Sequence, residues 1–227
     1  MWWRTLLTLL LAVAVAAGCL AQGRSARPPR GAIVLFDGKD LSKWVSRDGR
    51  TPARWEIMPD GAMQVKPGTG DIMTRDEFGS FQLHIEFATP YMPEARGQGR
   101  GNSGVYLHGL YEIQVLDSYG LESLGSGDCA AIYGIKTPDK NAAKPPGQWQ
   151  TYDITFIAPK FDSAGNVIAN PRVTVRWNGV LVHDNVEIPR VTPGGIGDRM
   201  RPTGPLLLQD HGNPVKYRNI WIRPLRD

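Results

Sequence analysis

Residues 102–117 read Asn-Ser-Gly-Val-Tyr-Leu-His-Gly-Leu-Tyr-Glu-Ile-Gln-Val-Leu-Asp, and their alternation decides the fold. Val105 and Leu107, then Tyr111, Ile113 and Val115, recur at every second position, with Tyr106, Glu112 and Gln114 between them. A period of two puts the two sets on opposite faces of a strand. The turn His108-Gly109-Leu110 makes the strands neighbours, so His108, Glu112 and Gln114 are expected to share one polar face.

The same pattern recurs outward from this stretch. Phe81, Leu83, Ile85 and Phe87 alternate with Gln82, His84 and Glu86, and Tyr152, Ile154 and Phe156 with Asp153 and Thr155. Val173, Val175 and Trp177 do likewise, and Asn178-Gly179 then stands before Val180-Leu181-Val182. Asn-Gly is a preferred two-residue hairpin turn because both central positions need positive φ. A further hairpin is expected from residues 55–57 to 62–65, turned by Pro59-Asp60-Gly61. No run of ten residues after residue 30 keeps clean helical spacing. Many short strands in series imply one all-β, antiparallel sandwich or barrel. Residues 90–101 are a loop by composition, overhanging one face.

The chain has 227 residues, enough for one sizeable domain behind a leader. Its basic balance does not point to nucleic acid. Of 26 Lys and Arg, Arg4, Arg24, Arg27 and Arg30 precede residue 31, so 26 − 4 = 22 basic residues face all 22 acidic ones in the body. A nucleic-acid binder concentrates its charge on the folded domain. Residues 1–19 read as a signal peptide: Arg4 is followed by an apolar run from Leu6 to Ala17, too short to span a bilayer. Ala16-Ala17-Gly18-Cys19 resembles a lipoprotein cleavage box, which would lipidate Cys19, the sole contact with a membrane. Ordinary cleavage after Ala21 is the alternative. Residues 20–30 form a flexible tether and 31–227 the domain, so the protein is expected outside the cytoplasm, in the periplasm, on the outer membrane or secreted. Cys129 lacks an intradomain partner and is expected to be a buried small hydrophobe.

The chemistry must come from the polar faces. A sheet face carrying Tyr106, His108, Glu112 and Gln114 suits a sugar, and a solvated face is the competing reading. In residues 206–212, Leu207, Gln209 and His211 share one side, which brings Gln209 and His211 toward Glu112. His84 and His183 read as structural. The four His residues show no metal-ligand spacing, and no nucleophile elbow, phosphate loop or Cys-x-x-Cys is present. Glu112 to Asp117 mimics a glucanase signature, but Gln114 replaces the middle acid and Asp117 falls one residue late.

Short pieces in order along the mature chain resemble the 3-keto-disaccharide hydrolase family, of concanavalin-like glucanase fold. They include residues 35–44 (LFDGKDLSKW), 102–105, 111–117, 131–134, 144–149 (KPPGQW), 177–179, 208–212 (LQDHG) and 217–220. The resemblance implies a jelly-roll sandwich that cleaves glycosides already oxidised to a ketone at carbon 3. It also implies a separate sugar 3-dehydrogenase upstream to make that ketone. A lectin-like binding module is the alternative function. On this reading Glu112 is the base or a ligand, His211 a catalytic partner and Lys136 an enolate stabiliser. Ser103, Tyr106, His108, Gln114, Gln209 and Asp117 surround the sugar, and a divalent cation held by His108 and Glu112 is conceivable.

Overall fold

The computed structural model describes residues 27–226, and they form an antiparallel β-sandwich. The leader and Cys19 lie outside the described residues. The larger sheet has eight strands. Its order is β13 (Val180–Glu187), β12 (Arg172–Trp177), β9 (Gln150–Ile157), β6 (Phe81–Ala88), β15 (Lys216–Pro224), β4 (Met63–Gln64) and β3 (Glu56–Ile57), with β1 (Ile33–Phe36) also on β15. The smaller sheet has five strands, β2 (Trp44–Ser46), β5 (Ile72–Thr74), β14 (Leu207–Leu208), β7 (Ser103–Leu107) and β8 (Tyr111–Val115). β10 (Lys160–Phe161) and β11 (Val167–Ala169) pair as a separate ribbon. Among the described residues the sole helical element is a 3₁₀ turn at Gly97–Gly99.

The alternating runs become the two inner faces. Phe81, Leu83, Ile85 and Phe87 of the larger sheet meet Val105, Leu107, Ile113 and Val115 of the smaller in one buried cluster. The expected hairpins form: Glu56 pairs with Gln64, and Trp177 pairs with Val180 across Asn178 and Gly179, whose φ values are 51° and 81°. Cys129 is buried, its sulfur 3.2 Å from the Tyr152 hydroxyl. His183 Nε2 lies 2.8 Å from the Ala130 carbonyl, a structural role.

One device in β15 interrupts the alternation. Asn219 has φ 47° and the register with β6 shifts between Arg218 and Trp221. That bulge returns Ile220 and Ile222 to the core after Tyr217, and it turns Arg218 and Trp221 outward.

The outer face of the smaller sheet is not solvated. Every residue of β7 and β8 is buried, including Tyr106, Glu112 and Gln114. Two segments close over it. Residues 130–133 pair with the edge of β8, through Ala130 N to Gln114 O at 2.9 Å and Tyr133 N to Glu112 O at 3.1 Å. The Thr192 hydroxyl accepts from Glu112 N at 2.9 Å and holds the segment that continues through Pro193 and Gly194. An antiparallel sheet ordinarily leaves such a face in water. Here loops convert it into a pocket.

Candidate active site

Tyr106 and Glu112 are direct cross-strand partners, and Gly104 stands opposite Gln114. The Glu112 carboxyl lies across Gly104. A Cβ there would sit 3.1 Å from Glu112 Cδ and 2.8 Å from the Tyr106 ring, so only glycine leaves room for the carboxyl. β14 continues beside β7, and Gln209 N donates to Gly104 O at 3.0 Å. This brings Gln209 and His211 to the same place. Tyr106, Glu112, Gln114, Gln209 and His211 all line one cavity of about 190 Å³, with Glu112 deep and His211 exposed at its rim.

The loops supply the rest of the wall. Gln114 Nε2 donates to Gln98 Oε1 at 3.0 Å, and Asn102 Nδ2 donates to Gln98 O at 2.7 Å. Tyr133, Pro193 and Gly194 complete the lining. Tyr106 hydroxyl donates to Pro193 O at 3.1 Å and accepts from Gln209 Nε2 at 3.2 Å. Two buried oxygens on this wall, Asn102 Oδ1 and Gln209 Oε1, have no partner among the described residues. An unsatisfied buried acceptor costs roughly 1–3 kcal/mol, which a hydroxyl-rich guest would relieve.

The rim is braced from behind. Arg47 donates to Asp71 Oδ2 at 2.7 Å, to Gly194 O at 2.8 Å and to Gly195 O at 2.5 Å. Asp71 Oδ1 in turn accepts from Asp210 N at 2.9 Å, which locks the segment carrying Gln209 and His211. Burial pushes the Glu112 carboxyl up to about 8; the nearby Asp71 charge adds to this and the Tyr106 hydroxyl opposes it. Burial also pushes the Tyr106 phenol well above its ordinary value, with the Glu112 charge acting in the same direction.

Four expected site residues lie elsewhere. His108 has φ 54°, which turns its side chain from the polar face into the core, where it packs on Phe156 at 4.7 Å and Nε2 meets Gly79 O at 2.9 Å. The His108–Glu112 pair is thereby split between the two sides of the sheet. Among the described residues no group of three or more His, Cys, Asp or Glu converges as a metal-ligand set. Ser103 also faces inward, donating to Gln209 O at 2.6 Å and accepting from the Tyr217 hydroxyl at 2.7 Å. Lys136 is drawn to Asp139 at 2.5 Å, and Asp117 to Arg100 at 3.3 Å; neither lines the cavity. Gln98, Tyr133, Pro193 and Gly194 were not legible as site residues. They lie on loops or, for Gln98, on the short 3₁₀ turn, where no periodicity assigns a face.

Comparison with known proteins agrees with this architecture. A family model described as a 3-keto-alpha-glucoside-1,2-lyase-like domain matches residues 31–223. A 3-keto-disaccharide hydrolase of Bacteroides thetaiotaomicron is 25% identical over 240 residues, covering 86% of this chain and 79% of its own length. A crystal structure of a candidate glycosyl hydrolase from Parabacteroides distasonis is 42% identical, with TM-score 0.80, covering 87% of this chain and 85% of that one. A second Parabacteroides distasonis structure, 22% identical with TM-score 0.63 over 86% of this chain and 94% of that one, shares the fold.

Proposed function

Since this chain belongs to the 3-keto-alpha-glucoside-1,2-lyase-like domain family, we propose that it cleaves 3-keto-glycosides by elimination, with Glu112 as the base. The carrying observation is that, among the described residues, Glu112 is the one carboxylate lining the cavity. Ordinary glycosidases set two carboxylates across the glycosidic bond, about 5–9.5 Å apart. Asp117 does not supply the second, because it faces Arg100. Elimination needs only one base.

The ketone at carbon 3 acidifies the hydrogen on carbon 2. The Glu112 carboxylate takes that proton, and the electron pair passes into the enolate. Re-formation of the carbonyl makes the carbon 1–carbon 2 double bond and breaks the bond from carbon 1 to the leaving oxygen. The departing alkoxide takes back the proton that Glu112 removed, which returns Glu112 to its carboxylate form. Water then adds hydroxyl to carbon 1 and hydrogen to carbon 2, so the sum is hydrolysis. Burial raises the Glu112 carboxyl to about 8, which brings it near the operating pH, where a general base is most effective. The Tyr106 hydroxyl proton is held by Pro193 O, but Gln209 Nε2 keeps an N–H beyond the one it gives Tyr106 and serves as the donor that steadies the enolate, with His211 at the mouth.

The ketone is installed by a separate sugar 3-dehydrogenase, and the leader routes the protein outside the cytoplasm. Glu112→Gln keeps the side chain's size and removes its basicity. It should lower release of product from a 3-keto-glucoside by about 10²-fold or more, the scale of a lost general base, with the fold intact. Near-wild-type release by this variant refutes the assignment. Binding of the 3-keto sugar by the wild type without any product marks a lectin-like module instead.

A further inference from the structure

The outer face of the larger sheet carries a second cavity, of about 230 Å³, lined among others by Asp60, Gln64, Thr89, Trp149 and Lys216. Gln64 and Lys216 alternate with the core residues Met63 and Tyr217, so this cavity opens outward from the larger sheet. The Glu112 pocket opens outward from the smaller sheet. The two lie on opposite sides of the sandwich, with roughly 10 Å between the sheets alone. They are therefore separate sites.

Two features of this cavity match what a sugar ring asks of a protein. The Trp149 indole is held rigid: the Arg218 guanidinium lies 4.0 Å from its ring centre, and Arg218 Nε is itself held by Glu86 at 2.6 Å. A fixed aromatic surface stacks against the C–H face of a pyranose at little cost in side-chain entropy. Lys216 Nζ and Asp60 Oδ2 are 2.9 Å apart on the rim, with 31% and 48% of their side chains exposed. An ion pair this exposed adds little to stability, but it offers a charged donor and acceptor to vicinal hydroxyls.

We propose that this cavity is a second carbohydrate site, which holds an unoxidised pyranose unit of an oligosaccharide while the Glu112 pocket acts independently. The inference takes from the proposed function only that the chain handles sugars. It gives the protein a grip on a glycan that does not depend on the ketone. The Trp149 face carries apolar contact, the Lys216–Asp60 pair carries the hydroxyls, and neither chemistry nor proton transfer is required there.

The test is affinity electrophoresis and calorimetry with maltotetraose and cellotetraose as probes. Wild-type protein should bind at least one of them. Trp149→Ala and Lys216→Met should each weaken that binding by about tenfold or more, the usual size of a central contact. Glu112→Gln should leave it unchanged, and both cavity variants should turn over a small 3-keto-glucoside at the wild-type rate. Lys216→Met keeps the aliphatic stem in place, so it decides the matter if Trp149→Ala misfolds. Failure of wild-type protein to bind either probe, or equal binding by the variants, overturns the second site. Loss that follows Glu112→Gln instead puts the sugar in the first pocket and overturns it too. Turnover reads only the first pocket, so its failure would sink the proposed reaction without touching this binding result.

Discussion

Gly104→Ala tests the geometry of the pocket more sharply than removal of any charged group. The added methyl carbon would stand 2.8 Å from the Tyr106 ring and 3.1 Å from Glu112 Cδ, inside ordinary carbon contact distance. Neither neighbour can retreat easily, since Tyr106 is 1% and Glu112 3% exposed. Overpacking of this kind costs about 1–3 kcal/mol. For a domain of this size, that lowers the melting temperature by roughly 2–12 °C. The larger effect falls on activity. The methyl group displaces the carboxyl by the better part of an ångström, and a misplacement of that size costs about 10²-fold in rate. Steady-state turnover of a 3-keto-glucoside and thermal melting of the same preparation read both effects. Turnover should fall while the folded fraction at assay temperature stays complete. Wild-type turnover and melting in Gly104→Ala would show that the carboxyl does not depend on this strand crossing, and would refute the account of how Glu112 is held.

Further outcomes follow from the charges. Activity should rise with pH along a limb near 8, since Glu112 must lose its proton to act and burial raises it to about that value. Stability should run the other way. The unfolded carboxyl titrates near its ordinary value of 4.5 and the folded one near 8, so the native state binds the extra proton and loses up to about 1.4 kcal/mol per pH unit between those limits. Denaturant melts of Glu112→Gln should lack that slope. His84 is pushed down by burial, but the Asp153 and Glu86 carboxylates outweigh this and raise it to about 9. Its contribution is complete below 6.5 and lost as pH climbs through 9, so Asp153→Asn should be destabilising at pH 7 and nearly silent at pH 10. If Cys19 is lipidated in cells, fatty-acid labelling should mark the wild type and not Cys19→Ala; equal labelling of both refutes it.

Alternation along the chain is enough to say which residues face inward, and through them much of the molecule follows. Period two in residues 81–87, 111–115, 152–156 and 173–177 named the inner faces before any contact was known, because a strand's side chains have only two directions. The same rule put Tyr106, Glu112 and Gln114 on one side, and residues 206–211 added Gln209 and His211. It failed at His108, where φ 54° swings the ring out of strand order and into the core, a choice made by the turn rather than by the pattern. Lys136 and Asp117 lie on irregular chain, where no period assigns a face, and nearby Asp139 and Arg100 hold them away from the cavity. That the polar face is a pocket follows instead from segments distant in sequence packing over it. Pairing of residues 130–133 with the edge of β8, and the Thr192 anchor, dried a surface that alternation alone would leave in water. The raised carboxyl of Glu112 follows from that closure: desolvation is a property of everything packed around a group, and no single strand carries it.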